Sequence, residues 1–174
     1  MPTLSSILSF EQKQAARLTV NQFIDLANNS LSIKLNYPDL AFNQRGKIAG
    51  TAHLHKHLIK LNPVLLKDNE ASFHDEVIAH EVAHIVTFHL FGKVRPHGPE
   101  WRHIMQHVFK KPAKTTHKMD TTKTQGQTVE YRCECGPVAL SIRRHNKVIR
   151  HKQSYICRVC RQSLSEAIVR TNVG

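Results

Sequence analysis

The sequence is poor in glycine and proline and has no long apolar run. Glycine and proline occur only seven times each in 174 residues, which argues against a collagen-like or low-complexity chain. No stretch approaches the roughly 18 unbroken apolar residues of a membrane-spanning helix. The N-terminal "MPTLSSILSFEQKQ" lacks a basic region before its short apolar run and lacks a small-residue cleavage site. We therefore expect no signal peptide, no membrane partner and a cytoplasmic protein, with one ordinary domain and a small appendage.

Acidic residues are scarce in the last third of the chain. Residues 1–109 contain 11 Lys and Arg against 9 Asp and Glu, whereas residues 110–174 contain 14 against 4. Nearly all of the net charge of +12 therefore lies after residue 109. Such a basic block is typical of proteins that bind a polyanion. Nucleic acid is favoured over membrane, because the sequence predicts no basic amphipathic helix there. A basic surface without a partner is the alternative.

The rest of the chain predicts helices around a few short strands. The first expected element is a helix over 10–27 that begins at a capping box of Ser9 and Gln12, followed by strands within 31–37 and 42–66. We then expect a helix over 72–91 that Ser72 caps and Gly92 ends, and a helix that begins at Pro99. Small polar residues predict a linker over 112–128, so the expected domains are 1–111 and 129–174. His53, His55 and His57 would share one strand face, more simply as a polar surface than as a metal site.

The stretch "HEVAH", residues 80–84, lies within a largely apolar predicted helix. Residues four apart lie on one helix face, so His80 and His84 can direct their imidazoles to one metal ion. Glu81 would then lie beside the open position of a zinc ion, where a carboxylate can accept a proton from water. The alternative is a buried helix that merely carries two histidines, at a cost unless hydrogen bonds compensate them. His97, in "RPHGPEW", is the candidate third ligand.

The cysteines form two close pairs, "YRCECG" and "YICRVC". Without a secretory signal, this pattern favours metal ligation over disulfides. The predicted ligands of a structural zinc are Cys133, Cys135, Cys157 and Cys160. Only one residue separates the first pair, which is unusual, so His145 or His151 could replace one thiolate. Redox-active or unligated thiols are the other interpretation.

The segment between the cysteine pairs, "VALSIRRHNKVIR", predicts two strands joined at His145-Asn146, and hence a zinc ribbon. A unit of about forty residues buries too little surface to fold alone, and a structural metal would supply the missing stability. Tyr131 and Tyr155 could stack on exposed bases. Candidate phosphate contacts are the cations around the hairpin, Arg143, Arg144, Lys147, Arg150 and Lys152. A solvated basic hairpin is the alternative.

Several of these motifs together resemble the SprT family of zinc metalloproteins. The resemblance rests on "HEVAHIVTFHLFGKVRPHGPEW", "KPAKTTH" and the two cysteine pairs, and extends upstream to "NQRGKIAGTAHLHKHLIKLNPVLL". The family is related to Spartan-type proteases, which cleave proteins covalently trapped on DNA. The resemblance implies that His80, His84 and His97 are zinc ligands and that Glu81 is the catalytic carboxylate.

We therefore expect an α+β fold, in which a zincin-like metalloprotease domain with a small sheet and the HExxH helix precedes a C-terminal basic zinc ribbon. The expected cofactors are one catalytic and one structural Zn²⁺. The expected partners are DNA, with single-stranded DNA among the forms considered, and protein substrates on it, with nucleoid association in a bacterium. Two other functions remain open. A nonenzymatic nucleic-acid-binding protein would need only the ribbon, and a metal hydrolase with another substrate would need only the histidine site.

Overall fold

The structure, a computed structural model, describes residues 7–115, 124, 126 and 128–171. The chain divides into two compact units, residues 1–124 and residues 125–174. Most of the predicted linker, 112–128, lies outside the described residues, so its bounds stay a prediction. No helix in the described part of the chain is long and apolar enough to cross a membrane.

The first unit opens with helix α1, Phe10–Leu31. Its predicted start is confirmed: Ser9 Oγ accepts the Gln12 backbone N–H, and the Gln12 side chain accepts the Ser9 N–H. Its core-facing residues recur at helical spacing and are buried: Ala16, Val20, Ile24 and Ala27. The helix ends four residues later than predicted, at Ser32 in the left-handed conformation.

The strand predicted within 31–37 is wrong. The Asn28 side chain bonds the Leu35 backbone twice, accepting its N–H at 2.8 Å and donating to its carbonyl at 3.0 Å. Because this amide satisfies both backbone groups of Leu35, no neighbouring strand is needed at that residue. The first strand, β1, forms only at Asp39–Ala41.

The two strands predicted within 42–66 are confirmed as β2, Gly50–His53, and β3, Leu58–Leu61. In this sheet β3 lies in the middle, parallel to β1 and antiparallel to β2. Asn62, directly after β3, donates to the carbonyls of Gly46 and Ile48. Its side-chain oxygen also caps helix α2, Pro63–Asp68, so one side chain joins the loop before β2 to the end of β3.

The three histidines predicted on one strand face do not share a face. The strand β2 ends at His53, a 3₁₀ turn covers Leu54–Lys56, and His57 is left-handed with φ 48°. The His55 ring contacts the Phe88 ring, whereas His57 Nε2 lies 2.9 Å from the Asn36 carbonyl. The backbone turn therefore separates the side chains that strict alternation would have aligned.

The helix predicted over 72–91 begins earlier and is irregular. A short helix α3, Glu70–Ser72, runs into a π-helical turn, Phe73–Val77, and then into α4, Ile78–Phe91. Ser72 has helical backbone angles and makes no capping bond, so the predicted cap is wrong. The predicted end is confirmed, because Gly92 with φ 66° closes the last turn on the Phe88 carbonyl.

The next helix, α5, Pro99–His103, has proline in its first turn as predicted and continues into a second π-helical turn, Ile104–Val108. Its predicted apolar face is buried. After it, Lys111 pairs with Asp75, and Lys114 Nζ lies 2.9 Å from Glu76 Oε1. These ion pairs join the segment after α5 to the π-helical turn that leads into α4.

One hydrophobic core holds the first unit together. It joins the inner face of α1, the middle strand β3 and both sides of α4, and it includes the fully buried Phe73 and Trp101. Burial of this kind is the main favourable term in folding. The helix α4 is thus held on several sides, which fixes the direction of its polar side chains.

In its described residues the second unit forms a small sheet and one helix. Strand β4, Thr128–Cys133, lies between β5, Gly136–Ser141, and β6, Ser165–Thr171, with antiparallel pairing on both sides. Where a second strand was predicted, the chain forms helix α6, Ile142–Ile149. Its inward residues Ile142, His145 and Val148 recur every three positions, a spacing that fits a helix and not a strand.

Candidate metal centres and basic surface

Three imidazole nitrogens converge at the middle of α4. The Nε2 atoms of His80, His84 and His97 lie 2.9, 3.1 and 3.2 Å from one another. His80 and His84 lie one turn apart on the helix, and His97 reaches them from the loop between α4 and α5. The His97 backbone is left-handed, with φ 56°, a conformation that histidine adopts only occasionally. This loop therefore holds a strained backbone that brings the third imidazole to the other two.

The three histidines fit a zinc ion. Tetrahedral zinc with nitrogens at about 2.1 Å requires N···N separations of about 3.4 Å. The observed separations are slightly shorter, so small rotations of the rings would satisfy the geometry. Three nitrogen donors leave a fourth position for water or substrate, as in catalytic zinc sites.

The side chain of Trp101 packs against all three of these imidazoles. Its ring centroid lies 4.7 Å from those of His80 and His97 and 5.6 Å from that of His84. Its indole Nε1 donates to the His80 carbonyl at 3.3 Å. Because Trp101 is fully buried, the rings pack against a rigid surface that limits their rotation.

The carboxyl group of Glu81, the residue directly after His80 on α4, is buried. The side chain is 7% exposed, and burial raises its pKa to about 7, partly opposed by the Ala52 backbone N–H that donates to it. A carboxyl group with a pKa near neutrality can both accept and return a proton at physiological pH. The edge strand β2 thus supplies a polar contact that orients Glu81 from the sheet side.

Gly50, on the same strand, makes room for Glu81. A Cβ built on Gly50 would lie 2.9 Å from Glu81 Cγ, 3.2 Å from Glu81 Oε1 and 3.2 Å from Val77 Cγ1. The first of these separations is too short for two carbon atoms in contact. The sheet can approach the metal helix this closely only because position 50 has no side chain.

Burial keeps two of the imidazoles neutral. It lowers the pKa of His84 to about 4, with a further contribution from His97. Burial also lowers the pKa of His97, with a contribution from Arg102. A neutral imidazole is the form that binds a metal, so these shifts favour the metal-competent state at neutral pH.

The four thiols of the second unit also converge. The sulfur atoms of Cys133, Cys135, Cys157 and Cys160 all lie within 4.8 Å of one another. Tetrahedral zinc with sulfurs at about 2.3 Å requires S···S separations of about 3.8 Å, so this donor set fits a closed structural site. His145 is turned elsewhere, with Nδ1 3.0 Å from the Tyr131 hydroxyl, and His151 is exposed. Neither histidine belongs to the cluster.

The short first spacing is accommodated by the turn between β4 and β5. Gly136, with φ 129°, follows Cys135 directly and lets the chain reverse within the cysteine pair. In the second pair, backbone N–H groups of Cys160 and Val159 lower the pKa of Cys157 to about 6. The thiols of Cys133, Cys157 and Cys160 raise the pKa of Cys135 to about 12. Four crowded sulfurs of this kind are stabilised as thiolates only by a cation.

The predicted phosphate contacts lie on α6 and the residues after it. All five are exposed: Arg143, Arg144, Lys147, Arg150 and Lys152. Arg143, Lys147 and Arg150 follow one another at i, i+4 and i+7, so they form one basic stripe. Arg144 lies over the Tyr155 ring, 5.7 Å from its centroid. The sequence predicts no basic amphipathic helix in this region, and that expectation is wrong. The apolar side of α6 packs on the small sheet.

The sequence alone did not identify the supporting residues. Gly50 and Ala52 of β2 contact Glu81 of α4, and no local sequence pattern predicts such a contact. Trp101 was predicted only as part of an apolar face, although its indole also packs on the three imidazoles. The spacing of "HEVAH" is enough to predict that the imidazoles of His80 and His84 lie together, because that relationship lies within one helix.

Both units match known families. The SprT-like family model matches residues 20–123, and the SprT-like zinc ribbon domain model matches residues 127–167. No solved structure matches the chain.

Curated relatives match over most of their length. Protein SprT of Vibrio atlanticus is 46% identical over 154 residues, which cover 88% of this chain and 93% of that protein. Protein SprT of Vibrio parahaemolyticus is 45% identical and covers 91% of this chain and 96% of its own. Protein SprT of Shewanella oneidensis is 48% identical over 75% of this chain and 83% of its own. The HEVAH helix and the four-cysteine unit thus occur together in a chain that belongs to the SprT-like family.

Proposed function

We propose that this protein is a zinc-dependent peptidase with a zincin-like catalytic unit, which acts on proteins associated with DNA. One observation carries the peptidase proposal: three imidazole nitrogens lie within 3.2 Å of one another, and Glu81, directly after the first of these histidines, has a buried carboxyl group that is not one of the converging donors. That combination supplies an open zinc site together with an acid–base group.

A zinc ion held by His80, His84 and His97 would polarise the peptide carbonyl and lower the pKa of water. Glu81 accepts the proton of the attacking water at a carboxylate oxygen and passes it to the departing amine nitrogen. The Ala52 N–H holds the carboxylate during both transfers. Trp101 limits the rotation of the three imidazoles, so that the donors stay close together while the substrate enters and leaves.

The association with DNA is proposed from the second unit. The basic stripe of α6 presents three aligned cations to solvent, and the sequence after residue 109 carries nearly all of the net positive charge. Cations at this spacing can neutralise successive phosphates of a nucleic-acid backbone. A ribbon bound to DNA would raise the concentration of DNA-bound proteins near the catalytic unit.

The experiment that tests the proposal uses a protein crosslinked to DNA as substrate. The zinc-loaded full-length protein is incubated with it, with and without single-stranded DNA, beside Glu81→Gln. We expect cleavage by the parent and a loss of at least about a hundredfold in Glu81→Gln, the lower end of acid–base contributions. Equal cleavage by both proteins would contradict the role of Glu81.

A second substrate separates the two parts of the proposal. The same protein that is not attached to DNA should be cleaved more slowly, because the ribbon gives it no local concentration. Equal rates on free and crosslinked substrate would leave a zinc peptidase without DNA targeting. No cleavage of either substrate, with two zinc ions bound, would favour a nonenzymatic protein.

A further inference from the structure

A cleft of about 630 Å³ opens between the first turns of α1 and the segment that follows β1. Its volume lies within the range of small-molecule sites in proteins. None of its lining residues belongs to either metal cluster. The cleft is therefore a separate feature of the first unit, which neither the peptidase chemistry nor the ribbon uses.

The helical wall of the cleft is a single stripe of α1. Its members recur at i, i+3, i+4 and i+7: Phe10, Lys13, Gln14 and Arg17. Residues at this spacing usually form the apolar face that packs on the core, but α1 packs on the core through a different set that begins at Ala16. The stripe that faces the cleft is thus not required for packing of the helix.

The opposite wall comes from β1 and the residues after it. It contributes Leu40, Phe42, Asn43 and Arg45. Leu40 and Phe42 also pack against the core, which fixes their positions. Arg45 lies in the loop that Asn62 ties to β3 through the carbonyls of Gly46 and Ile48. The backbone of both walls is therefore fixed, by core packing or by hydrogen bonds.

The chemistry of the lining is of two kinds. Lys13, Arg17 and Arg45 bring three positive charges to the cleft, and none of the described residues that line it is acidic. Beside them lies Phe10, which is 70% exposed in spite of its size. An exposed aromatic ring among cations suits a ligand that has both a flat apolar part and negative charge.

We propose that this cleft binds a nucleotide unit, either free or as part of single-stranded nucleic acid. The guanidinium groups of Arg17 and Arg45 pair with phosphate oxygens, for which their planar forks are suited. The base stacks on Phe10, and the amides of Gln14 and Asn43 bond its edge as donor and acceptor. A base in a duplex is already stacked on its neighbours, so duplex DNA does not fill the cleft. The inference depends neither on peptidase activity nor on α6.

The test measures binding in a background from which the ribbon contact is removed. The full-length zinc-loaded protein carries Arg143→Glu, Arg144→Glu and Lys147→Glu, and fluorescein-labelled dT8 is titrated by anisotropy. Adding Arg17→Gln with Arg45→Gln should weaken binding by about tenfold or more, because two phosphate contacts are lost. The matched control adds Lys34→Gln with Lys67→Gln, two exposed cations outside the cleft, and should change it little.

A second variant tests the stacking contact. Phe10→Ala should weaken dT8 binding at least about fivefold, the lower end of base–aromatic stacking. Because Phe10 is largely exposed, its loss should leave the circular dichroism and the thermal midpoint unchanged. An unaffected affinity in Phe10→Ala, or an equal loss in the Lys34 and Lys67 control, would overturn the proposal.

Competitors distinguish the sources of the ligand. dTMP or AMP should displace dT8 at concentrations at which inorganic phosphate does not. If the mononucleotide competes as well as an unlabelled dT8, the cleft takes free nucleotides; a clear advantage of dT8 indicates single-stranded nucleic acid. Phosphate that competes as well as dTMP, or a duplex that binds as tightly as dT8, would overturn the nucleotide assignment. Loss of peptidase activity in Glu81→Gln should leave every one of these results unchanged.

Discussion

Gly50 and Glu81 lie so close together that a Cβ on the glycine would stand 2.9 Å from the Cγ of the glutamate. The neighbouring Ala52 N–H donates to the same carboxylate. One short edge strand therefore determines where the proposed acid–base group lies relative to the imidazoles.

Substitution of Gly50 should impair catalysis without removing the metal. In Gly50→Ala the new methyl group displaces Glu81, and a displacement of about 1 Å can cost on the order of a hundredfold in rate. We expect kcat to fall by about tenfold or more while the zinc content stays the same. The matched control is Gly126→Ala, where an added Cβ meets no atom within 4 Å. Unchanged kcat in Gly50→Ala would show that Glu81 tolerates the crowding.

The intact protein should bind two zinc ions, and each should be removable on its own. His80→Ala should lower the zinc content from about two to about one per chain, because only two imidazoles remain at the first site. Cys157→Ser should remove the other ion, and with it the stability of the second unit. Metal analysis by mass spectrometry measures both. A parent stoichiometry of one that His80→Ala leaves unchanged would contradict a histidine site.

The burial of Glu81 should cost stability, with a defined pH dependence. Its folded-state pKa is about 7 and its ordinary value is 4.5, so the folded state binds the extra proton between these values. The free energy of unfolding of the zinc-free parent should therefore fall as pH rises from about 4.5 to about 7, and it should stay at the lower value above pH 7. Glu81→Gln cannot ionise, so its free energy of unfolding relative to that of the parent should rise by about 2 to 3 kcal/mol between pH 5 and pH 8.

Denaturant unfolding followed by tryptophan fluorescence measures this difference, because Trp101 is the only tryptophan and reports on the first unit. Protonation of the histidines affects parent and variant alike and cancels in the comparison. A difference that does not change between pH 5 and pH 8 would mean that Glu81 titrates normally.

DNA binding by the parent should depend strongly on salt. Several phosphate contacts lose about 10³ or more in affinity between 50 and 200 mM salt. Reversal of the α6 stripe by Arg143→Glu, Arg144→Glu and Lys147→Glu should abolish duplex binding while both zinc ions remain. Electrophoretic shift assays measure both effects.

The control for that experiment changes the same charge elsewhere. It replaces three exposed cations of the first unit: Lys34→Glu, Lys67→Glu and Lys93→Glu. Loss of binding in this control as well would indicate a response to net charge alone. Retained duplex binding in the α6 variant would place the contact on another surface.

What the sequence predicts well is local. The capping box of Ser9, the proline that begins α5 and the pairing of His80 with His84 all depend on residues a few positions apart. The strand predicted near Leu35 is wrong, because the Asn28 side chain makes the hydrogen bonds of the Leu35 backbone.

The strand predicted at α6 failed for another reason. The alternation of "VALS" ends at Ser141, and the apolar residues of the segment after it recur every three positions. The contact of Gly50 with Glu81 joins positions 31 residues apart, and only the packing of β2 on α4 creates it. Periodicity carries no information about such a contact.

The π-helical turn before α4 sets the angular phase of the metal face. Phe73 and Val77 point into the core, and the wide turn they occupy advances the chain by less than an α-helical turn of the same residues would. If the same residues closed instead as ordinary α-helix, at 3.6 residues per turn, everything after them would be rotated by about 100° relative to the core. Two histidines with the correct spacing would then face a different direction, away from His97 and Trp101. The spacing of a motif determines which residues share a helix face. The extra residue in the π-helical turn determines the direction in which that face points.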